Sequence, residues 1–131
     1  MILKLLADHV VKTSPTCGAI HEVLRGEEYS PNVALAFDIG VTTAHYHRTF
    51  DEIYFVIDGS IDLQLHDPAT CQTTSHHLVA NELCVISKTV HHRITSASPR
   101  NRLAVLTIPR FDASDEHLSD ILLPGVESRR K

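Results

Sequence analysis

Two histidines one residue apart, His45 and His47, are followed by Glu52 and then by Gly59. Side chains alternate across an extended strand, so residues two apart share a face. His45 and His47 can therefore present two imidazoles to one point, while Tyr46 faces away. Neutral imidazole suits Zn, Fe, Ni and Cu, and a nearby carboxylate adds charge and a hard oxygen. This stretch, Gly40-Val-Thr-Thr-Ala-His45-Tyr46-His47-Arg48-Thr49-Phe50-Asp51-Glu52, predicts a transition-metal site. It says much less about a substrate.

The rest of the chain sets the frame for that site. A length of 131 residues fits one domain, 1–131. Ten histidines raise the weight of a metal role, and they are scattered singly or in pairs. The formal net charge of -4 gives no electrostatic reason to bind nucleic acid. Arg129, Arg130 and Lys131 read as a solvated end. Cys17, Cys71 and Cys84 form no CxxC pair, so reduced thiols in a cytoplasmic protein are expected. Cys84 sits in an apolar run and is expected to be buried. No apolar run approaches membrane length, so no membrane association is expected.

Turn signals recur at short intervals, among them Ser30-Pro31-Asn32, Asp58-Gly59, Asp67-Pro68, Asn81 and Ser98-Pro99. Between them lie short apolar or alternating runs: 19–24, 33–39, 45–47, 52–57, 61–66, 76–79, 83–86, 92–95 and 103–108. Many short strands at such spacing predict an all-β sandwich or barrel. Asp58-Gly59 reads as a hairpin turn joining its two flanking strands. Residues 3–11 and 114–122 are expected to form short terminal helices. In the run 52–57, Glu52, Tyr54 and Val56 share one face, and Ile53, Phe55 and Ile57 share the other. Both faces are largely apolar, so the strand is expected to be covered on both sides. The outward face predicts a homodimer, with Leu3, Leu5 and Leu6 of the N-terminal segment as the alternative cover.

These residues resemble the cupin superfamily. Its first motif runs Gly, a spacer, His-x-His, three or four residues, Glu, six residues, Gly. Gly40, His45, His47, Glu52 and Gly59 match it. The second motif, usually Gly-Asp, an apolar strand and Pro-x-Gly-x-x-His, is matched more loosely by residues 81–92. Asn81 and Thr89 stand for its glycines, Ser87 for its proline, and the register puts His92 rather than His91 at the fourth ligand position. Asn81 tolerates the left-handed backbone region, whereas Thr89 does not, so a loop of different shape is expected there.

The resemblance spans about residues 33–108. It implies an antiparallel jelly-roll β-barrel with short terminal segments and a metal inside. It implies His45, His47, Glu52 and His92 as ligands of one divalent ion (Fe, Zn, Mn or Ni), and Glu52 as a catalytic group. Tyr54 shares Glu52's face and is expected to offer a phenol to the cavity as a second catalytic group, with a packed aromatic as the alternative. Three His and one Glu leave positions open on a five- or six-coordinate ion, as a reactive metal requires. Asp51 is a rival to Glu52 but points to the opposite face of its strand. His91 is expected to face outward or to support the site from behind its ligands, and not to bind the metal itself. His9, His21, His66 and His117 are expected on the surface, as is the pair His76 and His77 at the start of a strand. Arg25, Arg48, Arg93 and Arg102 are expected to be solvated, with an anchor for an anionic substrate as the alternative.

Three functions compete. The first is Fe(II)-type dioxygenation of a small polar metabolite. The second is isomerase, epimerase or lyase chemistry with Zn, Mn or Ni. The third is a non-catalytic binder or sensor. No Gly-x-Ser-x-Gly elbow or phosphate-binding glycine loop supports a hydrolase or a nucleotide fold.

Overall fold

The computed structural model describes residues 12–15, 18–24 and 31–122. Strands are the dominant structure of the described residues, which include no α-helix. In order the strands are β1 (Lys12–Ser14), β2 (Gly18–Leu24), β3 (Asn32–Phe37), β4 (His45–Tyr46), β5 (Asp51–Asp58) and β6 (Ser60–Asp67). They continue with β7 (Gln72–Val79), β8 (Leu83–Ile86), β9 (His91–Ala97), β10 (Arg102–Ile108) and β11 (His117–Leu118). A 3-10 turn, Ala113–Asp115, precedes β11. The helix expected over 114–122 does not form. Asp112 caps that single turn by accepting from the Ser114 backbone N–H at 3.0 Å, and the chain then returns to extended backbone. The helix expected over 3–11 lies outside the described residues.

Two antiparallel sheets face each other. One has six strands in the order β1-β2-β3-β10-β5-β8, and the other five in the order β11-β4-β9-β6-β7. This is the jelly-roll barrel that the resemblance implies, within the sandwich or barrel that the strand pattern predicts. Its interior is filled by Ala36, Val56, Ile61, Leu63, Ile86, Ile94 and Leu103, each at most 2% exposed. Burying such side chains is the main source of stability in a domain of this size.

The alternation along β5 holds. Glu52, Tyr54 and Val56 are buried, and Ile53, Phe55 and Ile57 on the other face are half-buried. The same outer face continues into Leu83 and Val85 of β8, which are exposed. One strand expectation fails. Asp58-Gly59 does not close a hairpin, because β5 and β6 belong to different sheets. A two-residue hairpin turn of the expected kind needs positive φ at both central residues, and only Gly59 has it, at φ 81. Gly59 instead turns the chain from one sheet to the other. A Cβ there would lie 2.4 Å from the Arg100 carbonyl oxygen, so only glycine fits. At Gly40, an added Cβ meets nothing.

Candidate metal centre

Four buried side chains converge inside the barrel from both sheets. His45 lies on β4 and His92 on β9, and the two are directly paired. His47 follows β4 immediately. Glu52 projects from β5 of the facing sheet. Their exposures are 0%, 1%, 3% and 1% for His45, His92, His47 and Glu52. One nitrogen or oxygen from each lies within 4.8 Å of all the others. Glu52 Oε1 is 3.0 Å from His92 Nε2 and 3.6 Å from His47 Nε2.

The imidazole orientations are fixed by the main chain. His45 Nδ1 meets the Thr43 carbonyl at 2.9 Å, His47 Nδ1 the Asp115 carbonyl at 2.8 Å, and His92 Nδ1 the Val90 carbonyl at 3.1 Å. A carbonyl oxygen only accepts, so each Nδ1 carries the proton and donates it. In the neutral ring that leaves Nε2 as a bare lone pair. All three Nε2 atoms and Glu52 Oε1 are buried without a hydrogen-bond partner. Buried polar atoms are normally paired, and four unpaired acceptors facing one another repel. A divalent cation satisfies all four together. Atoms held at about 2.1 Å from one ion lie roughly 3–4 Å apart, so small side-chain shifts bring this set into range. The set fits Fe, Mn, Zn or Ni, and would leave two positions free on a six-coordinate ion.

Electrostatics in the cluster follow from burial and mutual contact. Burial, reinforced by His92 close by, pushes the His45 imidazole down to about 3. For His47, burial works against the charged form, but the Glu52 carboxylate outweighs it and raises the value. Burial alone pushes Glu52 up, and the facing His47 and His92 reverse this and hold it well below the usual carboxylate range. Glu52 is therefore ionised at neutral pH.

The surroundings finish the site. Phe50 stacks on His47, with ring centroids 4.3 Å apart, and Phe111 closes the same end at 6.5 Å from His47. Tyr54 is buried in the core and meets His92 edge-on at 6.2 Å. Asp51 is excluded from the cluster, since its Oδ1 accepts from the Lys88 backbone N–H at 2.9 Å. A cavity of about 280 Å³ opens between β6, β7 and β8, bordered by Leu65, Thr74, Ser87 and Val90. Among the described residues, no lysine or arginine borders it.

The other histidines differ from expectation in instructive ways. His91 does face away from His92, but it is buried, stacked on Tyr46 at 4.3 Å and joined to Ser119 Oγ at 2.6 Å. Burial, with His66 nearby, lowers its pKa. His66 is buried rather than surface-lying, with Nδ1 2.8 Å from Thr73 Oγ1. His117 is half-buried against Asp115. His76 and His77 are exposed, but they lie mid-strand in β7 rather than at its start. Arg93 is buried and donates to Gln64 Oε1 at 2.8 Å, while Arg48 and Arg102 are exposed. For His91 the cause is the chain after β10, which contacts it through Ser119 on a face that alternation alone sends to solvent. Cys84 is half-buried rather than fully buried, and Cys71 is exposed. Cys17, His9 and Arg25 lie outside the described residues.

Two features of the site are not evident from the motifs. The Asp115 carboxylate accepts from the backbone N–H groups of Arg48 and Thr49, from the Thr49 hydroxyl and from His117. It thereby pins the loop that carries His47. Burial pushes its pKa up, but these donors outweigh it and hold it below the usual range. Thr89 does adopt the left-handed region, at φ 71, contrary to expectation. Its N–H donates to the His47 carbonyl at 2.6 Å, and that bond holds the glycine-like turn despite the β-branched side chain.

No family model and no curated protein sequence matches the chain. Solved structures do match it. A protein from Planctomyces limnophilus shares 24% identity at a TM-score of 0.68, over 83% of this chain and 89% of that one. Oxalate decarboxylase from Bacillus subtilis shares 12% identity at a TM-score of 0.72, over 90% of this chain and 32% of that one. The capsular polysaccharide assembling protein CapF from Staphylococcus aureus shares 15% at 0.67, over 92% and 34%. The chain thus spans about a third of the length of the last two. At these identities the likeness establishes the fold, and the fold is the cupin barrel that the two motifs resemble.

Proposed function

We propose that this chain is a metal-dependent enzyme acting on a small polar metabolite, with Fe(II)-type dioxygenation as the leading reaction. The observation that carries the reading is the set of four unpaired buried atoms, three Nε2 and Glu52 Oε1. A closed structural site keeps no open position, whereas four protein ligands on a larger ion do. A bound divalent ion there supplies Lewis acidity, and Fe(II) adds redox chemistry with O2. His45, His47 and His92 would hold it through Nε2 and Glu52 through Oε1. The Glu52 carboxylate, ionised at neutral pH, would also be the group to take a proton from the substrate on release from the ion. Phe50 and Phe111 keep water from the His47 side, and Tyr54 borders His92 as a second catalytic group.

Isomerase or lyase chemistry is the second reading. It is favoured by the likeness to oxalate decarboxylase, a protein described with Mn(II) centres. Elemental analysis of protein purified without added metal, followed by oxygen-electrode assays on a metabolite panel, separates the readings. One equivalent of Fe with oxygen uptake supports the first. Turnover unchanged under strict anaerobiosis eliminates it in favour of the second. A retained ligand with no turnover in any assay points to a binder instead.

A further inference from the structure

Thr107 is the fifth buried side chain with an unpaired polar atom among the described residues. It is 2% exposed, and its Oγ1 has no hydrogen-bond partner. It lies on β10, directly across from Glu52 on β5. On that strand Leu103, Val105 and Thr107 are the buried, inward residues. Facing residues on neighbouring antiparallel strands share a side, with Cβ atoms about 5 Å apart. Thr107 therefore lies beside Glu52 on the inward side of the sheet, at the one inward position of β10 that is not apolar, with its hydroxyl not spent on that carboxylate.

Valine has the same shape and carries no hydroxyl to leave unpaired, and the strand already uses valine at position 105. An unsatisfied buried hydroxyl costs stability unless something inside the barrel pairs with it. We propose that Thr107 is a binding residue of the site, whose hydroxyl donates to a carbonyl or anionic oxygen of the small molecule held beside Glu52. This rests on the metal reading above. A carboxylate only accepts, so a hydroxyl next to it supplies the donor that Glu52 lacks. The same donor suits a ligand with a carboxylate or enolate oxygen better than a purely apolar one.

The test uses the full chain loaded with Co(II), and azide as a probe that accepts a hydrogen bond while occupying an open coordination position. Cobalt uptake and azide affinity are both read from the visible d–d bands. Thr107→Val is expected to bind Co(II) as the parent does and to bind azide about five- to tenfold more weakly, as for one lost hydrogen bond. Thr107→Ser restores the affinity to within about twofold. Thr107→Ala reports the same loss if the valine variant does not fold. Azide affinity unchanged in Thr107→Val or Thr107→Ala overturns the proposal, as does a parent protein that takes cobalt but no azide. Failure of the parent to take up cobalt at all is a different result, and it overturns the metal reading itself.

Discussion

His47 donates its Nδ1–H to the main-chain carbonyl of Asp115, 68 residues further along the chain, over 2.8 Å. The Asp115 carboxylate then holds the two residues after His47 by their backbone N–H groups. One residue thus sets both the ring orientation and the loop position of a candidate metal ligand. Supports of this kind are commonly worth about 10–100-fold in metal affinity. Asp115→Ala is expected to lower metal affinity by about that factor and to destabilise the fold by roughly 2–3 kcal/mol through the freed N–H groups. Competitive chelator titration and urea unfolding measure the two effects. An unchanged metal affinity would show that the loop holds itself.

His47→Ala is expected to remove metal and activity together, leaving the barrel folded, because apolar burial supplies most of its stability. Far-UV circular dichroism and metal analysis check both halves. His92→Ala should behave alike. His91→Ala should keep its metal, since His91 packs on Tyr46 on the far side of β9. More metal lost in His91→Ala than in His92→Ala would reverse the ligand assignment.

Thr89 holds a backbone angle that a β-branched residue avoids. Such strain costs on the order of 1–3 kcal/mol, and glycine returns part of that in chain entropy. Thr89→Gly is therefore expected to stabilise the protein by about 1 kcal/mol with its metal content unchanged. Denaturant midpoints decide the sign, and a loss of stability would mean that the threonine side chain makes a compensating contact.

Acid should weaken the metal-free protein well before its carboxylates titrate. His45 is held down to about 3 from 6.5. Between those values the unfolded chain binds a proton that the folded chain refuses, so stability rises with pH across that window and falls as pH drops through it. The loss from pH 6.5 to 4.5 is on the order of 2 kcal/mol. His47 acts in the opposite sense: its raised value adds stability below 6.5, which is lost as pH rises through the folded value. Urea midpoints of chelated protein at pH 6.5 and 4.5 measure the slope. His45→Gln should flatten it, and an equal slope in that variant would assign the acid sensitivity elsewhere.

A homodimer is expected from the outer face of β5. Ile53, Phe55 and Ile57 are half-buried, and Leu83 and Val85 beside them are 52% and 55% exposed. Soluble monomers seldom leave such a continuous apolar surface open. Light scattering at micromolar concentration should give twice 14.6 kDa. A monomer mass would assign the cover of that face to the chain's own ends.

Alternation made much of this legible. It located nine strands and assigned the faces of His45, Glu52, His91 and His92, because a period of two is a local property. It was blind to what crosses between sheets. Asp58-Gly59 looks like a hairpin locally, and only the packing of residues 98–101 against Gly59 decides otherwise. Asp115 sits in a short polar stretch whose one local signal, Asp112 capping Ser114, announces a turn and not its distant partners. Thr107 did leave a trace: it is the lone hydroxyl on the inward face of an otherwise apolar strand.

The ligands are unevenly spread along the chain, and this orders events during folding. His45, His47 and Glu52 fall within eight positions, whereas His92 arrives only when β9 pairs with β4 through the single pair His45 and His92. Short loops close faster and at less entropic cost than long ones. Three of the four candidate ligands are therefore brought together at little entropic cost, and the fourth depends on long-range strand pairing. In the finished barrel Phe50 and Phe111 stand over the His47 side of the cluster. A cation bound by all four side chains would tie the two facing sheets to each other, and its binding energy would add to the stability of the fold.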